Sequence, residues 1–351
     1  MSAVVVFIIF AICLVIAIPI SISLGIVAVL PGAFDASFTA SAGYVIRSMV
    51  GGIDSFPLLA VPMFVLAGIL MAHGKISEKL FDVFVYFLGN KRAGIPCAVI
   101  ITCLFYGAIS GSAPATVAAV GSMTIPLLIE LGYEKDFSTA IVAVAGGLGV
   151  IIPPSIPFIM YAMATGESVS DLFLAGIVPG MMISALLIFY AYYYCRRHGE
   201  DREKIQAKMG QLKAKGFFNI LKESIWALLS PVIVLGCIYT GVASPTEAAV
   251  ISVFYSLFVS LFIYRSIKVK QIWGIMVEAM KTYAPILFIL ATSTAFSRVL
   301  TLMQVPQDVS AWIMTHFSNE IVLLLVINVV LLIVGMVMDT TPAILILSPI
   351  L

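Results

Sequence analysis

Long apolar runs separated by short polar clusters organise this chain. They cover roughly 3–30, 55–73, 93–110, 113–130, 138–164, 175–195, 225–242, 247–264, 284–305 and 320–338. Most approach the ~20 residues that an α-helix needs to cross a bilayer. None alternates with a period of two, so the pattern predicts membrane helices and not a β-barrel. Amphipathic stretches at 75–90, 268–282 and 306–318 lie between the runs. Pro19 interrupts the first run, and one kinked span or two short ones both fit.

Composition removes the soluble alternatives. Of 351 residues, 62% are hydrophobic and 11% charged, against roughly 25% charged in soluble domains. A globule of this size cannot hide that much apolar surface, so the expected fold class is an all-α polytopic membrane protein. The net charge of +1 creates no field for nucleic acid. Cys13, Cys97, Cys103, Cys195 and Cys237 fall mostly in apolar runs without metal-ligand spacing and read as small buried hydrophobes. No acid–base pair, metal cluster or nucleophile–base spacing is evident, so neither an enzyme nor a resident cofactor is expected. The N-terminal stretch has no basic segment and runs too long for a signal peptide, which makes it a retained membrane segment.

Charge orients the runs. The loop 196–223 carries eight basic residues, Arg196, Arg197, Arg202, Lys204, Lys208, Lys213, Lys215 and Lys222, against four acids. The positive-inside rule places it in the cytoplasm. Counting spans outward puts 265–281 and 75–92, both rich in Lys and Arg, on the same side. The stretches 165–174 and 306–320 fall outside and contain neither residue.

A repeat follows from two similar breaks. Gly107-Ala-Ile-Ser-Gly-Ser-Ala-Pro-Ala115 lines up with Gly335-Met-Val-Met-Asp-Thr-Thr-Pro-Ala343 at a spacing of 228 residues. Applying that offset carries the cytoplasmic stretch 75–92 to the external 303–320, and the cytoplasmic 265–281 to the external 37–53. Corresponding elements face opposite sides, the signature of an inverted-topology repeat in secondary transporters. The expected organisation is a first repeat over 1–195, the basic cytoplasmic loop 196–223, and a second repeat over 224–351.

The breaks carry the candidate chemistry. Only Gly111-Ser112 separates the runs 93–110 and 113–130. Two ordinary spans would need an almost absent turn, whereas a re-entrant hairpin over about 93–130 would carry these polar residues at its tip. Its ends, near Lys91-Arg92 and Glu130 to Asp136, would lie on one side. Free carbonyls and hydroxyls at such a tip need partners that hydrocarbon does not supply. Na⁺, a hard cation, suits backbone carbonyls and the hydroxyls of Ser110, Ser112 and Thr116. The helix beginning after Ser112 offers N–H groups to an anion. The stretch Gly146 to Pro157, with three glycines and three prolines, is either an unwound helix completing the cation site or a simple kink. In the second break, with its tip at about 338–342 in a hairpin beginning near 320, Asp339 could bind Na⁺, take up a proton or cap the next helix. Thr340 and Thr341 add oxygens. Arg298, in the run 284–305, reads either as a counter-ion for an anionic cargo or as a side chain that snorkels or pairs internally. Glu247, in Ser244-Pro245-Thr246-Glu247, fits a helix N-cap.

Together, the segment Gly107 to Ser122, the double-proline stretch Gly149 to Pro157, Ala243-Ser-Pro-Thr-Glu-Ala-Ala249 and Gly335 to Pro342 resemble the large, DctM-like or SiaM-like, membrane subunit of tripartite ATP-independent periplasmic (TRAP) transporters. The resemblance covers essentially the whole chain. It implies a Na⁺-coupled secondary transporter of the bacterial inner membrane. Scaffold and elevator-type transport domains would carry two re-entrant hairpins. The implied partners are a small four-helix membrane subunit and a periplasmic solute-binding protein, and the implied cargo is a carboxylate of the C4-dicarboxylate or sialic-acid class. Carried over by position, Na⁺ would be held by Ser110, Gly111 and Ser112 with Gly149, Pro153 and Ser155, and at a second site by Asp339, Thr340 and Thr341. Substrate would meet Ser112, Ala113, Thr116, Ser155 and Thr341. The alternative is a Na⁺-coupled divalent-anion symporter working without a binding protein. One departure stands out. The chain stops inside the second hairpin, whereas the repeat's spacing predicts a natural end at roughly residue 423, so the second repeat is expected to be truncated.

Overall fold

The computed structural model describes residues 2–35, 38–214, 216–316, 319–338 and 340–348. Among them the regular elements are all helical. In the first half these are α1 (Ala3–Val15), α2 (Ile20–Phe34), α3 (Ala42–Ile53), α4 (Ala60–His73), α5 (Ile76–Leu88), α6 (Gly94–Ser110), α7 (Ala113–Glu130), α8 (Lys135–Gly146), α9 (Ile156–Thr165) and α10 (Val169–His198). The second half holds α11 (Arg202–Ala214), α12 (Phe217–Tyr239), α13 (Pro245–Phe258), α14 (Val269–Leu302), α15 (Val305–His316), α16 (Glu320–Val337) and α17 (Thr340–Leu347). Among the described residues six helical stretches are long and apolar enough to cross a membrane: Phe56–His73, Ala113–Glu130, Val169–His198, Phe217–Tyr239, Pro245–Ile263 and Val269–Leu302.

One open alternative is decided and two expectations change in detail. The first apolar run is two helices, because Pro19 stands at the N-cap of α2 in an extended conformation, where proline's fixed φ and missing N–H cost nothing. The basic loop 196–223 is largely helix. Its Lys, Glu, Gln, Ala and Met residues favour that state, and Ile205 and Met209, one turn apart, are buried in the same apolar cluster. The amphipathic stretch 268–282 and the run 284–305 are one continuous 34-residue helix. Lys281 marks a change of polarity but not of backbone, since charge alone does not break a helix, and Pro285 is accommodated within it.

The chain divides into two compact units. One comprises 1–58, 159–167 and 282–351; the other comprises 59–158 and 168–281. The first unit centres on Phe296, whose ring meets Phe7 edge-on at 6.2 Å and stacks with Phe10 at 6.1 Å. The second is organised around α6, where Ile95, Val99, Cys103, Tyr106 and Ile109 are all buried.

The offset of 228 residues recurs in the element boundaries. Shifted by it, α3 falls on the opening of α14, α5 on α15, α6 on α16 and the start of α7 on that of α17, each boundary within two residues. The division between units falls after Leu58 in the first half and after Lys281 in the second, which the offset brings to within five residues of each other. Each unit therefore combines the opening helices of one half with later helices of the other.

Candidate functional site

The two-residue turn between α6 and α7 is built from residues that end one helix and start another. Gly111 adopts φ +62°, the left-handed conformation that closes many helices, and its N–H donates to Gly107 O at 2.9 Å. Ser112 is extended and caps α7, its hydroxyl accepting the Ala115 N–H at 3.5 Å. Pro114 follows in the first turn, where its missing N–H is harmless.

A broken helix faces this turn within the same unit. After α8 the chain makes a 3₁₀ turn over Gly147–Val150, runs irregularly through 151–155, and resumes as α9. Glycines allow the approach. A methyl on Gly107 would lie 2.5 Å from Gly149 Cα, and one on Gly149 would lie 2.4 Å from Thr116 Oγ1 and 2.9 Å from Ser112 O. Gly111 O accepts the Ile156 N–H at 3.2 Å, tying the turn to the start of α9. Ser155 caps that helix: its hydroxyl donates to Val150 O at 2.6 Å and accepts the Phe158 N–H at 3.3 Å.

These contacts gather oxygens in a dry place. Ser110, Thr116 and Ser155 are buried. Ser110 Oγ lies 3.0 Å from Thr116 Oγ1, and Thr116 Oγ1 donates to Ser112 O at 2.8 Å. The donor set is hydroxyl and carbonyl oxygen without a carboxylate, and it sits against an irregular backbone segment. Such a set offers hard, neutral ligands, which fit a monovalent cation better than a divalent one that draws on carboxylates. Pro153 is buried in the irregular segment, and Ala113 is half-buried at the first turn of α7.

Ser110, Gly111, Ser112, Ala113, Thr116, Gly149, Pro153 and Ser155 thus share one neighbourhood. Thr340 and Thr341 belong to the other unit, at the start of α17; Thr341 is buried and Thr340 exposed. Asp339 lies outside the described residues. Among the described residues no group of three or more His, Cys, Asp or Glu side chains could hold a metal ion.

Two contributors escaped sequence reasoning. Gly68 on α4 lets Ser110 close in, since a methyl there would stand 3.1 Å from Ser110 Cβ. Tyr106, fully buried, donates its hydroxyl to Gly68 O at 2.8 Å and locks α4 to α6. Nothing in an apolar run marks one glycine as the point of contact. Gly107, by contrast, stands in the repeated motif.

Residues 7–351 match the family described as the tripartite ATP-independent periplasmic transporter, DctM component. The chain is 41% identical over 342 residues to the isethionate TRAP transporter permease protein DctMQ of Oleidesulfovibrio alaskensis, covering 97% of this chain and 53% of the relative. It is 39% identical over 297 residues to the C4-dicarboxylate TRAP transporter large permease protein DctM of Pseudomonas aeruginosa, covering 85% and 68%. With the 2,3-diketo-L-gulonate TRAP transporter large permease protein YiaN of Escherichia coli it shares 36% identity over 305 residues, covering 87% and 70%. The chain therefore spans about half the length of the first relative and about two thirds of the other two.

Proposed function

Because this chain belongs to the DctM-component family of tripartite ATP-independent periplasmic transporters, a multi-pass protein of the bacterial inner membrane whose relatives are transport permeases, we propose that it imports a small organic acid by coupling to Na⁺. The cargo is a carboxylate of the C4-dicarboxylate or sialic-acid class, or a chemically similar acid. A periplasmic binding protein delivers it, and a small membrane subunit accompanies this chain.

One observation carries the coupling. The turn Ser110–Gly111–Ser112, with Thr116, presents uncharged oxygens to the irregular backbone around Gly149 to Ser155. In this reading α6 and α7 form a re-entrant hairpin and Na⁺ sits at its tip, held by Ser110, Gly111, Ser112, Gly149, Pro153 and Ser155. Cargo is received beside it, with the N–H groups opening α7, Ser112, Ala113, Thr116 and Ser155 as its polar contacts; Thr341, at the second break, is a separate candidate contact. A second Na⁺ site uses Asp339, Thr340 and Thr341. The matching element boundaries at 228 residues support an inverted repeat of 1–195 and 224–351, and the transport step is an elevator movement. The family assignment weighs against the symporter that works without a binding protein.

Proteoliposomes holding the assembled transporter and supplied with its binding protein should accumulate labelled acid only under an inward Na⁺ gradient. Equal accumulation with K⁺ in place of Na⁺ would reject the coupling.

A further inference from the structure

α14 places one cation where an anion can reach it. Leu290, Thr294, Ser297 and Arg298 follow one another at helical spacing and line a single cavity of about 420 Å³ within the first unit. Gly51, Gly52 and Ser55, at the end of α3 and just after it, line the same cavity. The approach of α3 depends on Gly52, while Gly51 stands in ordinary contact with Arg298. A methyl on Gly52 would lie 2.7 Å from Thr294 Cβ, and one on Gly51 would lie 3.9 Å from an Arg298 guanidinium nitrogen.

Among the described residues Arg298 has neither a hydrogen-bond nor an ion-pair partner, and it is exposed where it lines the cavity. Internal pairing with another described side chain, one reading of its position in the sequence, is therefore not observed. The Thr294 hydroxyl donates to Leu290 O at 2.9 Å, which leaves its lone pairs, and Ser297 lines the same cavity beside Arg298. A cation left in an apolar setting is expected to serve a ligand or a path. Leu345 on α17 closes another side of the cavity, one turn beyond Thr341.

We propose that Arg298 is a specificity-determining residue that takes the anionic head of the cargo in this cavity, with the Thr294 and Ser297 hydroxyls as polar neighbours. This rests on the organic-acid reading above and deepens it. A planar guanidinium grips two oxygens of a carboxylate or a sulfonate in parallel. That geometry is shared by the cargo classes named for the relatives, a C4-dicarboxylate and isethionate, so one residue can serve acids of different skeleton.

The test is direct binding to the purified, assembled membrane transporter, without the binding protein. Unfolding midpoints are read in saturating Na⁺ across a panel of small carboxylates and sulfonates, with succinate and isethionate included. In the wild type at least one acid should raise the midpoint. Arg298→Gln should weaken that acid's apparent affinity at least tenfold, Arg298→Lys should restore part of it, and the shift caused by Na⁺ alone should persist in both. Should Arg298→Gln not accumulate as folded protein, the double variant Thr294→Val, Ser297→Ala should still weaken acid binding several-fold. An unaltered acid-induced shift in Arg298→Gln or in the double variant would overturn the assignment, as it would if the guanidinium held only a lipid headgroup. A missing Na⁺ shift beside an intact, Arg298-dependent acid shift would instead count against the coupling reading alone.

Discussion

Gly107 on α6 and Gly149 in the 3₁₀ turn are in direct backbone contact: a methyl on Gly107 would come 2.5 Å from Gly149 Cα. Backbone cannot move aside as a side-chain tip can, so Gly107→Ala should force the turn and the broken helix apart. The expected loss is about 1–3 kcal/mol, as for other overpacked sites, together with impaired Na⁺ activation. Gly236→Ala, on α12 with nothing within 4 Å of the added methyl, should leave the unfolding midpoint unchanged or slightly raised. Equal midpoints for the two variants would refute the close-contact account.

Thr116 holds the turn's oxygens in register by bonding Ser112 O and meeting Ser110 Oγ. Thr116→Val keeps the shape and removes the hydroxyl, so roughly 1–3 kcal/mol of stability should be lost through under-bonded buried groups. The Na⁺ concentration for half-maximal uptake should rise roughly tenfold or more, equivalent to about 1.4 kcal/mol. Ser112→Ala should cost about 1 kcal/mol through the lost cap of α7 and should shift Na⁺ activation in the same direction. Unchanged Na⁺ activation in both variants would remove the cation from this place.

Glu200 clamps the base of the same helix pair. Its Oε1 accepts the Ala93 N–H, just before α6, at 3.0 Å and the Tyr133 hydroxyl, just after α7, at 2.7 Å. Arg202 pairs with its other oxygen at 3.3 Å, and the Glu200 side chain is only 2% exposed. Burial, reinforced by Glu200, raises the Tyr133 phenol pKa, which keeps it a donor. Glu200→Ala strands these partners and should cost about 3–5 kcal/mol. Glu200→Gln retains one acceptor oxygen and should cost less. Denaturation of the detergent-purified protein measures both, and a neutral Glu200→Ala would show that the clamp contributes nothing.

Asp201 starts α11, accepting the Lys204 N–H at 3.2 Å and pairing with its ammonium at 3.2 Å. Those contacts lower its carboxyl pKa below the ordinary 3.8. A depressed folded-state value means that the contribution is complete above the ordinary value and fades as pH falls through the folded one. Hydrogen exchange should show α11 losing protection in acid below that range. Asp201→Asn, which caps without titrating, should flatten the dependence; identical acid profiles would dismiss it.

The charge pattern predicts that α11 lies in the cytoplasm. A cysteine at the exposed Gln206 should resist a membrane-impermeant maleimide in intact spheroplasts and react after lysis. Labelling before lysis would reverse the whole span count.

Much of this protein was legible in its residues. Apolar runs announced helices because hydrocarbon tolerates little else, and most run edges fall within a few residues of the observed ends. Gly111-Ser112 declared a turn, since only glycine takes φ +62° at little cost. The Ser244–Glu247 pattern forms a reciprocal capping box, because both of its bonds are local. The continuity of α14 was not legible: a helix persists through a change of polarity unless the backbone itself is interrupted. Nor was the meeting of Gly107 with Gly149, of Gly68 with Ser110, or of Gly52 with Thr294, where the partners lie far apart in sequence and only packing selects them. Local backbone preference and the bilayer's demand for bonded amides fix where helices begin and end. Which small residues become points of contact, and whether Arg298 finds a partner or a cavity, is decided by how distant helices fill space together.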